Sequence, residues 1–365
     1  MSEALHPQSE SELADMIRAG GPFSIRGGGT RGVLSQGTPL ETGGLSGITM
    51  YEPGTLTMVV RAGTPMADIE AALADENQIL PFEPLDMRPM VGSAGVPTIG
   101  GVVATNASGS RRVKAGACRD FVLGARFVDG TGMVVKNGGR VMKNVTGYDL
   151  AKLVSGSHGT LGVITEVSLK VAPKSEAVVL LAADGLSDSD AVAAMSAALT
   201  APLDVSGAMH RGGGQTVIRL EGIRTSVVER LAALRQRLGS MGSWTVLDVE
   251  WAACADPSTL ARQEGDIWCL SVRPSAAPDL VERAGAQEVL YDWGGGRIWM
   301  RVPEGTKLRE QLGDFDGHAT LICASPQIRA TVGTFHPERA GVAKLSSALR
   351  RKFDPSQKLN PGLMG

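Results

Sequence analysis

The chain has 365 residues, more than one hydrophobic core usually serves, so its length alone predicts about two domains. Hydrophobic residues make up 43% of the chain and charged residues 20%, which is typical of a globular protein. A net charge of -2, with Lys and Arg spread along the chain, argues against a protein that binds nucleic acid or an anionic membrane surface.

The first half of the chain predicts helices, strands and one long loop. Ser9 and Glu12 have the spacing of a capping box, and the helix that they start should end at Gly20. Thr64 is expected to cap a second helix, with Pro65 at its first position. The remaining predictions are a strand at 23–25, a long functional loop at 80–116, a hairpin of 122–128 and 133–135 around a turn at 129–132, and a strand at 163–171.

The second half changes character after Lys174 and predicts a smaller α+β unit. Ser226 is expected to cap a helix with one apolar face, and Gly294 to Gly296 should form the turn of a hairpin. The last helix should present an apolar face of Leu345, Leu349 and Phe353. The other predicted elements are a helix at 189–200, strands at 244–249, 267–272, 289–293 and 297–302, and a tail without helix signals at 354–365.

The four cysteines and the N-terminus limit the possible chemistry and location. No two cysteines form a C-x-x-C pair, so neither a zinc site nor an iron–sulfur cluster is indicated, and reduced thiols in a cytosolic protein are the simpler interpretation. Residues 1–10 are polar without an apolar signal region, and no uninterrupted apolar run approaches about 18 residues. We therefore expect a cytoplasmic location and no membrane span.

Glycine is unusually common, with 47 residues, and three of them follow the first predicted strand in Arg26-Gly27-Gly28-Gly29-Thr30-Arg31. Such a loop exposes consecutive backbone N–H groups without Cβ hindrance, and these groups bind phosphate oxygens. Gly27, Gly29 and Gly32 also match the dinucleotide pattern G-x-G-x-x-G. However, residues 33–39 lack the helical periodicity that a Rossmann loop requires. A structural turn is the alternative.

A second segment, 97–109, reads Pro-Thr-Ile-Gly-Gly-Val-Val-Ala-Thr-Asn-Ala-Ser-Gly and consists mainly of small residues. Thr105, Asn106 and Ser108 supply hydrogen-bonding groups along it. A planar ring and a pyrophosphate could both lie against such a wall. The alternative is a tight glycine-rich connection that packs on itself.

The third segment, 147–166, completes a resemblance to a known family. It contains Gly-Tyr-Asp-Leu at 147–150 and Gly-Thr-Leu-Gly-Val-Ile-Thr-Glu at 159–166. In order and spacing, the three segments resemble the vanillyl-alcohol-oxidase-type (PCMH-type) FAD-binding domain. The resemblance implies that the first two segments hold the pyrophosphate, that the second lines the flavin ring, and that the strand near Val163 faces the adenine side. It assigns FAD binding to Gly27, Gly28, Gly29, Thr30, Gly100, Gly101, Thr105, Asn106, Gly109, Gly159, Gly162 and Ile164.

Shorter motifs narrow the resemblance to the family of glycolate oxidase E subunits. They are the segments at 119–124, 142–146 (Met-Lys-Asn-Val-Thr), 291–295, 317–320, 353–355 and 359–362. The family implies a flavoprotein D subunit and an iron–sulfur F subunit as partners, and a small 2-hydroxy acid as substrate. Its Leu-Asn-Pro-Gly tail folds back near the flavin, which would place Asn360 beside the ring. A simple C-terminal turn is the alternative for Asn360.

Oxidation of a 2-hydroxy acid requires a base for the hydroxyl proton and a cation for the carboxylate. His318 lies in one of the family-like motifs and is the candidate base, whereas His158 is interpreted as structural. His210 and His336 are interpreted as loop residues. The cation candidates are Arg111, Arg112 and Arg119, which follow the second segment.

Two expectations concern the cofactors. The paired histidines with which related dehydrogenases hold a metal are not found in the second half, so no metal site is predicted. No histidine lies in the first glycine-rich loop, where some relatives attach the flavin covalently, so FAD is expected to bind non-covalently.

The predicted fold is α+β. A PCMH-type FAD-binding domain of two mixed α/β lobes spans 1–174, a smaller α+β domain spans 175–340, and a C-terminal helix and tail at 341–365 return towards the flavin. The leading hypothesis is a FAD-binding subunit that oxidises glycolate to glyoxylate and passes electrons to an iron–sulfur partner, reaching the inner membrane only through its complex. The alternatives are a non-catalytic FAD-binding assembly or electron-relay subunit, with the chemistry in the D subunit, and a stand-alone NAD enzyme.

Overall fold

The computed structural model describes residues 3–33, 35–139 and 147–364, so the motif at 142–146 lies outside the described residues. In the first half, the helices are α1 Glu10–Ala19, α2 Met66–Asp75, α3 Arg88–Val91, α4 Ile99–Ala104, α5 Arg112–Ala115 and α6 Leu150–Val154. The strands are β1 Phe23–Arg26, β2 Thr38–Glu41, β3 Ile48–Glu52, β4 Thr57–Arg61, β5 Gln78–Ile79, β6 Val122–Val128, β7 Val134–Gly138, β8 Val163–Lys170 and β9 Ala172–Pro173. Short 3-10 helices occur at Thr42–Gly44, Pro53–Thr55 and Cys118–Phe121.

These elements form a five-stranded antiparallel sheet, in the order β3-β4-β8-β6-β7, and two small two-stranded sheets, β1-β2 and β5-β9. The predicted hairpin is therefore the β6–β7 pair. Helix α1 begins as predicted, because the Ser9 side chain accepts a hydrogen bond from the Glu12 N–H. Its buried Leu13 and Ile17 pack in one cluster with Val128 and Val163 of the sheet. The parallel β1-β2 pair carries the first glycine-rich loop directly after Arg26.

Two predictions for the first half are wrong. Thr64 does not cap α2: its hydroxyl donates to the Arg61 carbonyl and accepts from the Gly47 N–H, and Pro65 occupies the cap position. The stretch 80–116 is also not a continuous loop, since it contains α3, α4 and α5. These helices have only four to six residues, too few to show a helical period in the sequence.

In the second half, the helices are α7 Asp188–Leu199, α8 Arg224–Leu238, α9 Trp251–Ala255, α10 Ala277–Ala284, α11 Leu308–Leu312, α12 Pro326–Val332 and α13 Ala340–Phe353. The strands are β10 Ala177–Asp184, β11 Val205–Arg211, β12 Gln215–Gly222, β13 Thr245–Leu247, β14 Asp266–Val272, β15 Glu288–Asp292, β16 Arg297–Val302 and β17 Gly317–Cys323. Short 3-10 helices lie at Pro257–Arg262, Pro274–Ala276 and Trp293–Gly295.

These strands form one eight-stranded sheet, in the order β13-β10-β12-β11-β15-β16-β14-β17. A core that includes α7, α8 and α10 covers one face of this sheet, and a smaller apolar cluster with Trp251 and Trp299 lies on the other. The sequence analysis does not predict β10, β11, β12 and β17. Six consecutive residues of β11 and five of β12 are buried, so these strands lack the alternation of apolar and polar residues that marks a half-exposed strand. The predicted α+β fold is confirmed.

One further helix prediction needs correction. Helix α8 begins at Arg224, and Ser226 lies inside its first turn, where its hydroxyl accepts from the Arg230 side chain. Helix α13 forms as predicted, and on its apolar side Leu345 is 67% exposed. The opposite side of α13, with Ala343, Ser346 and Ser347, faces a large cleft instead.

Candidate functional site

A cleft of about 2580 Å³ lies where the two groups of strands meet. One wall comes from the first half of the chain, namely the loop after β1, the segment at 105–112 and the residues around His158. The other wall comes from β14, β16 and β17 and from the segment that leads through α12 to α13. The tail residues Pro361 to Met364 close one edge. The volume exceeds the 300–1000 Å³ of ordinary small-molecule sites, so a large cofactor and a substrate can fit together.

The first glycine-rich loop contributes backbone donors to this cleft. None of the N–H groups of Gly27 to Gly32 donates a hydrogen bond to a described residue. Gly29 has a φ of +66°, and no atom lies within 4 Å of the position that a Cβ would occupy there. Gly29, Arg31 and Gly32 line the cleft. A run of unpaired backbone donors at the cleft surface has the chemistry of a phosphate cradle.

Gly27 and Gly28 serve the same loop through close packing. A Cβ on Gly27 would lie 2.3 Å from the Thr98 hydroxyl, and one on Gly28 would lie 1.6 Å from the Val96 carbonyl oxygen. The loop therefore rests directly on the second segment, whereas Thr30 is buried behind it. Neither glycine tolerates a side chain without movement of the backbone.

The second segment is a short helix followed by a turn. The Thr98 hydroxyl caps α4 by accepting from the Gly101 N–H, and Gly100 packs on the end of β4, where its N–H donates to the Ala62 carbonyl at 2.8 Å. Thr105 and Asn106 line the cleft. Gly109 packs against the Glu83 backbone, since a Cβ there would lie 2.1 Å from the Glu83 carbonyl oxygen.

The third segment lies behind the cleft surface. A Cβ on Gly162 would lie 2.4 Å from the Phe127 ring, and Ile164 is buried in β8. Gly159 has a φ of +74° and borders the Asn360 side chain. None of these three residues lines the cleft, although the neighbouring His158 does. Their packing accounts for the residue types, and the adenine-side role implied by the family remains a prediction.

Asn360 joins the C-terminal tail to the first glycine-rich loop. Its backbone N–H donates to the Phe23 carbonyl, and its side-chain oxygen accepts from the Ile25 N–H at 2.7 Å and from the Ser35 hydroxyl at 2.7 Å. Its side-chain nitrogen donates to the His158 carbonyl at 2.7 Å. Asn360 is thus a buried connector beneath the cleft edge, and all of these partners are protein groups.

Side chains from three strands that are distant in sequence form the opposite wall. Cross-strand pairing places Arg297 of β16, Ser271 of β14 and His318 of β17 in one row. Trp299, Cys269 and Thr320 form the next row on the same face. All six residues line the cleft.

His318 is the best-placed base among the cleft histidines. Its ring is solvent-accessible, and partial burial together with the charge of Arg112 lowers its pKa. His336 lies next to it, because its Nδ1 atom accepts from the Ala319 N–H at 3.3 Å. Burial, Arg309 and His318 lower the pKa of His336 as well. Both rings are therefore mainly neutral near pH 7, and His318 can accept a proton, whereas the acceptor nitrogen of His336 is already occupied by the Ala319 N–H.

The other two histidines have structural surroundings. Burial lowers the pKa of His158 to about 4, and its ring packs edge-on against Phe335 at 4.8 Å. His210 is not a loop residue as predicted: it is fully buried in β11, where its ring hydrogen-bonds to Thr216 and Asp188. The missed strand β11 explains the error.

Of the three candidate arginines, only Arg112 lines the cleft. Arg111 forms an ion pair with Glu221 at 2.7 Å, and Arg119 lies 3.9 Å from Asp120. The Arg112 guanidinium lies over the Trp293 ring, 4.7 Å from its centroid, and Arg297 lies over the same ring at 4.1 Å. Arg112 is therefore the candidate cation of the three, because Arg111 and Arg119 lie outside the cleft lining.

Buried hydrogen bonds join the second segment to the opposite wall. The Ser110 hydroxyl donates to Asp292 at 2.9 Å, Arg297 donates to the Ser108 carbonyl at 2.6 Å, and the Trp293 indole donates to the Gly109 carbonyl at 3.0 Å. Arg297 also pairs with Asp292. The cleft is therefore assembled from both halves of the chain, and the motif at 291–295 makes the junction.

Several of these residues are absent from the sequence-based site. They are Arg31, Ser271, Trp293, Arg297 and His336. Arg31 borders the glycine motif, and this position is a signal that the sequence offers. In the structure, burial lowers the pKa of Arg31 to about 10. The other four depend on strand pairing and on the packing of the two halves. Neither the strand pairing nor the packing of the two halves can be read from a pattern along the chain.

Metal-binding clusters and membrane-spanning helices are both missing from the described residues. Within residues 3–33, 35–139 and 147–364, no cluster of three or more His, Cys, Asp or Glu side chains is arranged to hold a metal ion. None of the helices in those ranges is long and apolar enough to cross a membrane.

Comparisons with known proteins agree with this geometry. Residues 3–138 match the FAD binding domain family. The chain is 34% identical to glycolate oxidase subunit GlcE of Escherichia coli K12, over 100% of this chain and 97% of that protein. It is 35% identical to glycolate oxidase subunit GlcD of Bacillus subtilis 168, over 42% of this chain and 33% of that one. A solved alkyldihydroxyacetonephosphate synthase has a TM-score of 0.69 and 15% identity, covering 98% of this chain and 76% of that one.

Proposed function

Because the chain belongs to the family of glycolate oxidase subunit GlcE and binds FAD, we propose that it oxidises a small 2-hydroxy acid, glycolate, to glyoxylate. The observation that carries this proposal is that Gly29, Arg31 and Gly32, whose N–H groups donate to no described residue, line the same cleft as His318. It brings together a cradle for the cofactor pyrophosphate and a neutral base.

The glycine-rich loop and the second segment are assigned to FAD binding, and His318 is assigned to the substrate. The backbone donors of Gly27 to Gly32 bind the pyrophosphate of FAD without covalent attachment, and Thr105 and Asn106 border the flavin ring. The bound flavin supplies the acceptor for the hydride that leaves C2 of the substrate. His318 accepts the hydroxyl proton, and its lowered pKa keeps it in the basic form at neutral pH. The third segment and Asn360 support the cradle from behind.

The electrons then leave through a partner. No two cysteines of the sequence form a C-x-x-C pair, and we propose that the electrons pass to an iron–sulfur F subunit in a complex with a D subunit. The printed description of the relative as a subunit supports such an assembly.

An absorption spectrum of the purified chain, recorded before and after anaerobic addition of glycolate, tests the proposal. Bands of oxidised flavin that bleach with glycolate are the expected result. Bands that persist would move the oxidation to the D subunit and leave this chain as a FAD-binding relay or assembly subunit. A chain that takes up no FAD, even after reconstitution, would contradict the proposed function.

A further inference from the structure

The Arg112 side chain is a cation at the cleft surface that the rest of the protein does not neutralise. Among the described residues, its guanidinium has no carboxylate within ion-pair distance and donates no hydrogen bond to a protein group. Two cationic groups that line the opposite wall are engaged: Arg297 by Asp292 and the Ser108 carbonyl, and Arg309 by the carbonyls of residues 319 and 332–334. Arg112 therefore differs from both, because its donors have no acceptor among the described residues.

Trp293 fixes the position of this guanidinium. The indole N–H is held by the Gly109 carbonyl at 3.0 Å, which places the ring under Arg112. A guanidinium stacked on an aromatic ring keeps its N–H edge open for a planar acceptor, and a carboxylate accepts two such bonds in parallel. Contact with the fixed ring limits the positions open to the guanidinium, so less side-chain entropy is lost on binding than for a free arginine.

The surroundings of Arg112 favour an anion. Burial and the charges of Arg119 and Arg297 lower the pKa of Arg112, and only Asp120 opposes them. The charge of Arg112 reaches His318 and helps to lower its pKa. An anion beside Arg112 would reduce this mutual repulsion and would lie next to the ring of His318.

We propose that Arg112 binds the carboxylate of the substrate, with Trp293 as the positioning residue that holds its guanidinium. The identity of this carboxylate as that of a 2-hydroxy acid rests on the proposed function, whereas the anion site itself does not. A carboxylate held there would bring the adjoining hydroxyl carbon towards His318, which lines the same cleft.

Oxalate is a suitable probe, because it is a two-carbon carboxylate like glycolate but has no oxidisable hydroxyl carbon. Isothermal titration of oxalate into the full-length chain, with and without FAD, measures the site independently of turnover. The variants are Arg112→Met, Arg112→Lys and, as a matched control, Arg119→Gln, which removes a nearby charge outside the cleft lining. Thermal unfolding checks that each variant is folded.

We expect oxalate to bind the unaltered chain and to bind Arg112→Met at least about tenfold more weakly. Arg112→Lys should bind oxalate with an intermediate affinity, since lysine keeps the positive charge but lacks the two parallel N–H donors of the guanidinium. Arg119→Gln should change the affinity less than about threefold. Equal loss in Arg119→Gln and Arg112→Met, unchanged binding in Arg112→Met, or no binding to the unaltered chain in either state would overturn the proposal.

These outcomes are separate from those of the proposed function. If glycolate fails to bleach the flavin while oxalate binding still depends on Arg112, the anion site stands and the oxidation does not. If glycolate bleaches the flavin of Arg112→Met with an unchanged KM, the oxidation stands and the role of Arg112 is wrong.

Discussion

The two walls of the cleft are built from different parts of the polypeptide. The first-half wall consists largely of backbone, with glycines at 27–32 whose N–H groups remain open and whose missing side chains allow one loop to rest on another. The second-half wall consists of side chains that three strands bring into two rows. A backbone wall suits a large cofactor that must be held, while the side chains of the second wall, together with Arg112 of the first, suit a small substrate that must be oriented and deprotonated.

This difference predicts that a substitution in the glycine-rich loop of the first wall lowers both the stability of the fold and the affinity for FAD. Replacement of Gly28 by Ala has the largest expected effect, because the new Cβ would lie 1.6 Å from the Val96 carbonyl oxygen. We expect a loss of about 3 kcal/mol in the free energy of unfolding, together with loss of FAD. Chemical denaturation and the ratio of flavin to protein absorbance measure both. Gly54→Ala, at an open position, is the control, and an equal effect there would refute the packing argument.

The connection between the tail and the first wall should be the next most sensitive. Asn360→Ala removes the side chain that satisfies the Ile25 N–H and the His158 carbonyl, so two buried groups lose a partner. The expected loss is about 2 kcal/mol, with weaker FAD binding. Denaturation and FAD titration check this. Ser9→Ala, which removes the cap of α1 elsewhere in the same half, is the control for the effect on FAD and should leave FAD binding unchanged. Unaltered stability and FAD binding in Asn360→Ala would show that these hydrogen bonds do not matter.

An ion pair across the junction of the two halves should make stability depend on pH. Burial would raise the pKa of Glu83, but hydrogen bonds and charge from Arg219 and the charge of Arg111 outweigh it, and the pKa is lowered. The carboxylate therefore stabilises the fold above its unfolded pKa of about 4.3, and this contribution is lost as the pH falls through the lower folded value.

Glu83→Gln should accordingly cost about 1.5 kcal/mol at pH 7 and show a smaller loss of stability on acidification below about pH 4.3. Urea denaturation at a series of pH values measures the difference. The exposed Glu229→Gln serves as the control. Parallel pH profiles for Glu83→Gln and the unaltered chain would rule out the assigned role of Glu83.

The smallest expected effect concerns the bond between the second segment and Asp292. Ser110→Ala removes a buried donor at 2.9 Å but leaves Asp292 paired with Arg297. A loss of about 1 kcal/mol is expected in urea denaturation, with FAD retained. Release of FAD from this variant would mean that FAD binding depends on the bond between Ser110 and Asp292.

The same contrast explains how far the sequence could predict the structure. The glycine loop, the β6–β7 hairpin and the family were accessible, because each depends on residues close together in the chain. The row of Arg297, Ser271 and His318 was not accessible, since two unpredicted features, the strand β17 and the sheet order, bring it together. The side of α13 that lines the cleft was also not accessible, because it carries residues such as Ser346 and Ser347, whose place depends on the packing of the chain.

The most direct test of the division between the walls is FAD titration of two folded variants, followed by anaerobic glycolate. Gly29→Ala places a Cβ in open space at a φ of +66°, so it disturbs the cradle with little cost to packing. We predict at least about tenfold weaker FAD binding in Gly29→Ala, and in His318→Gln normal FAD binding without bleaching by glycolate. Normal FAD binding in Gly29→Ala, or loss of FAD in His318→Gln, would contradict the assignment of the cofactor cradle to the glycine-rich loop and of the substrate base to His318.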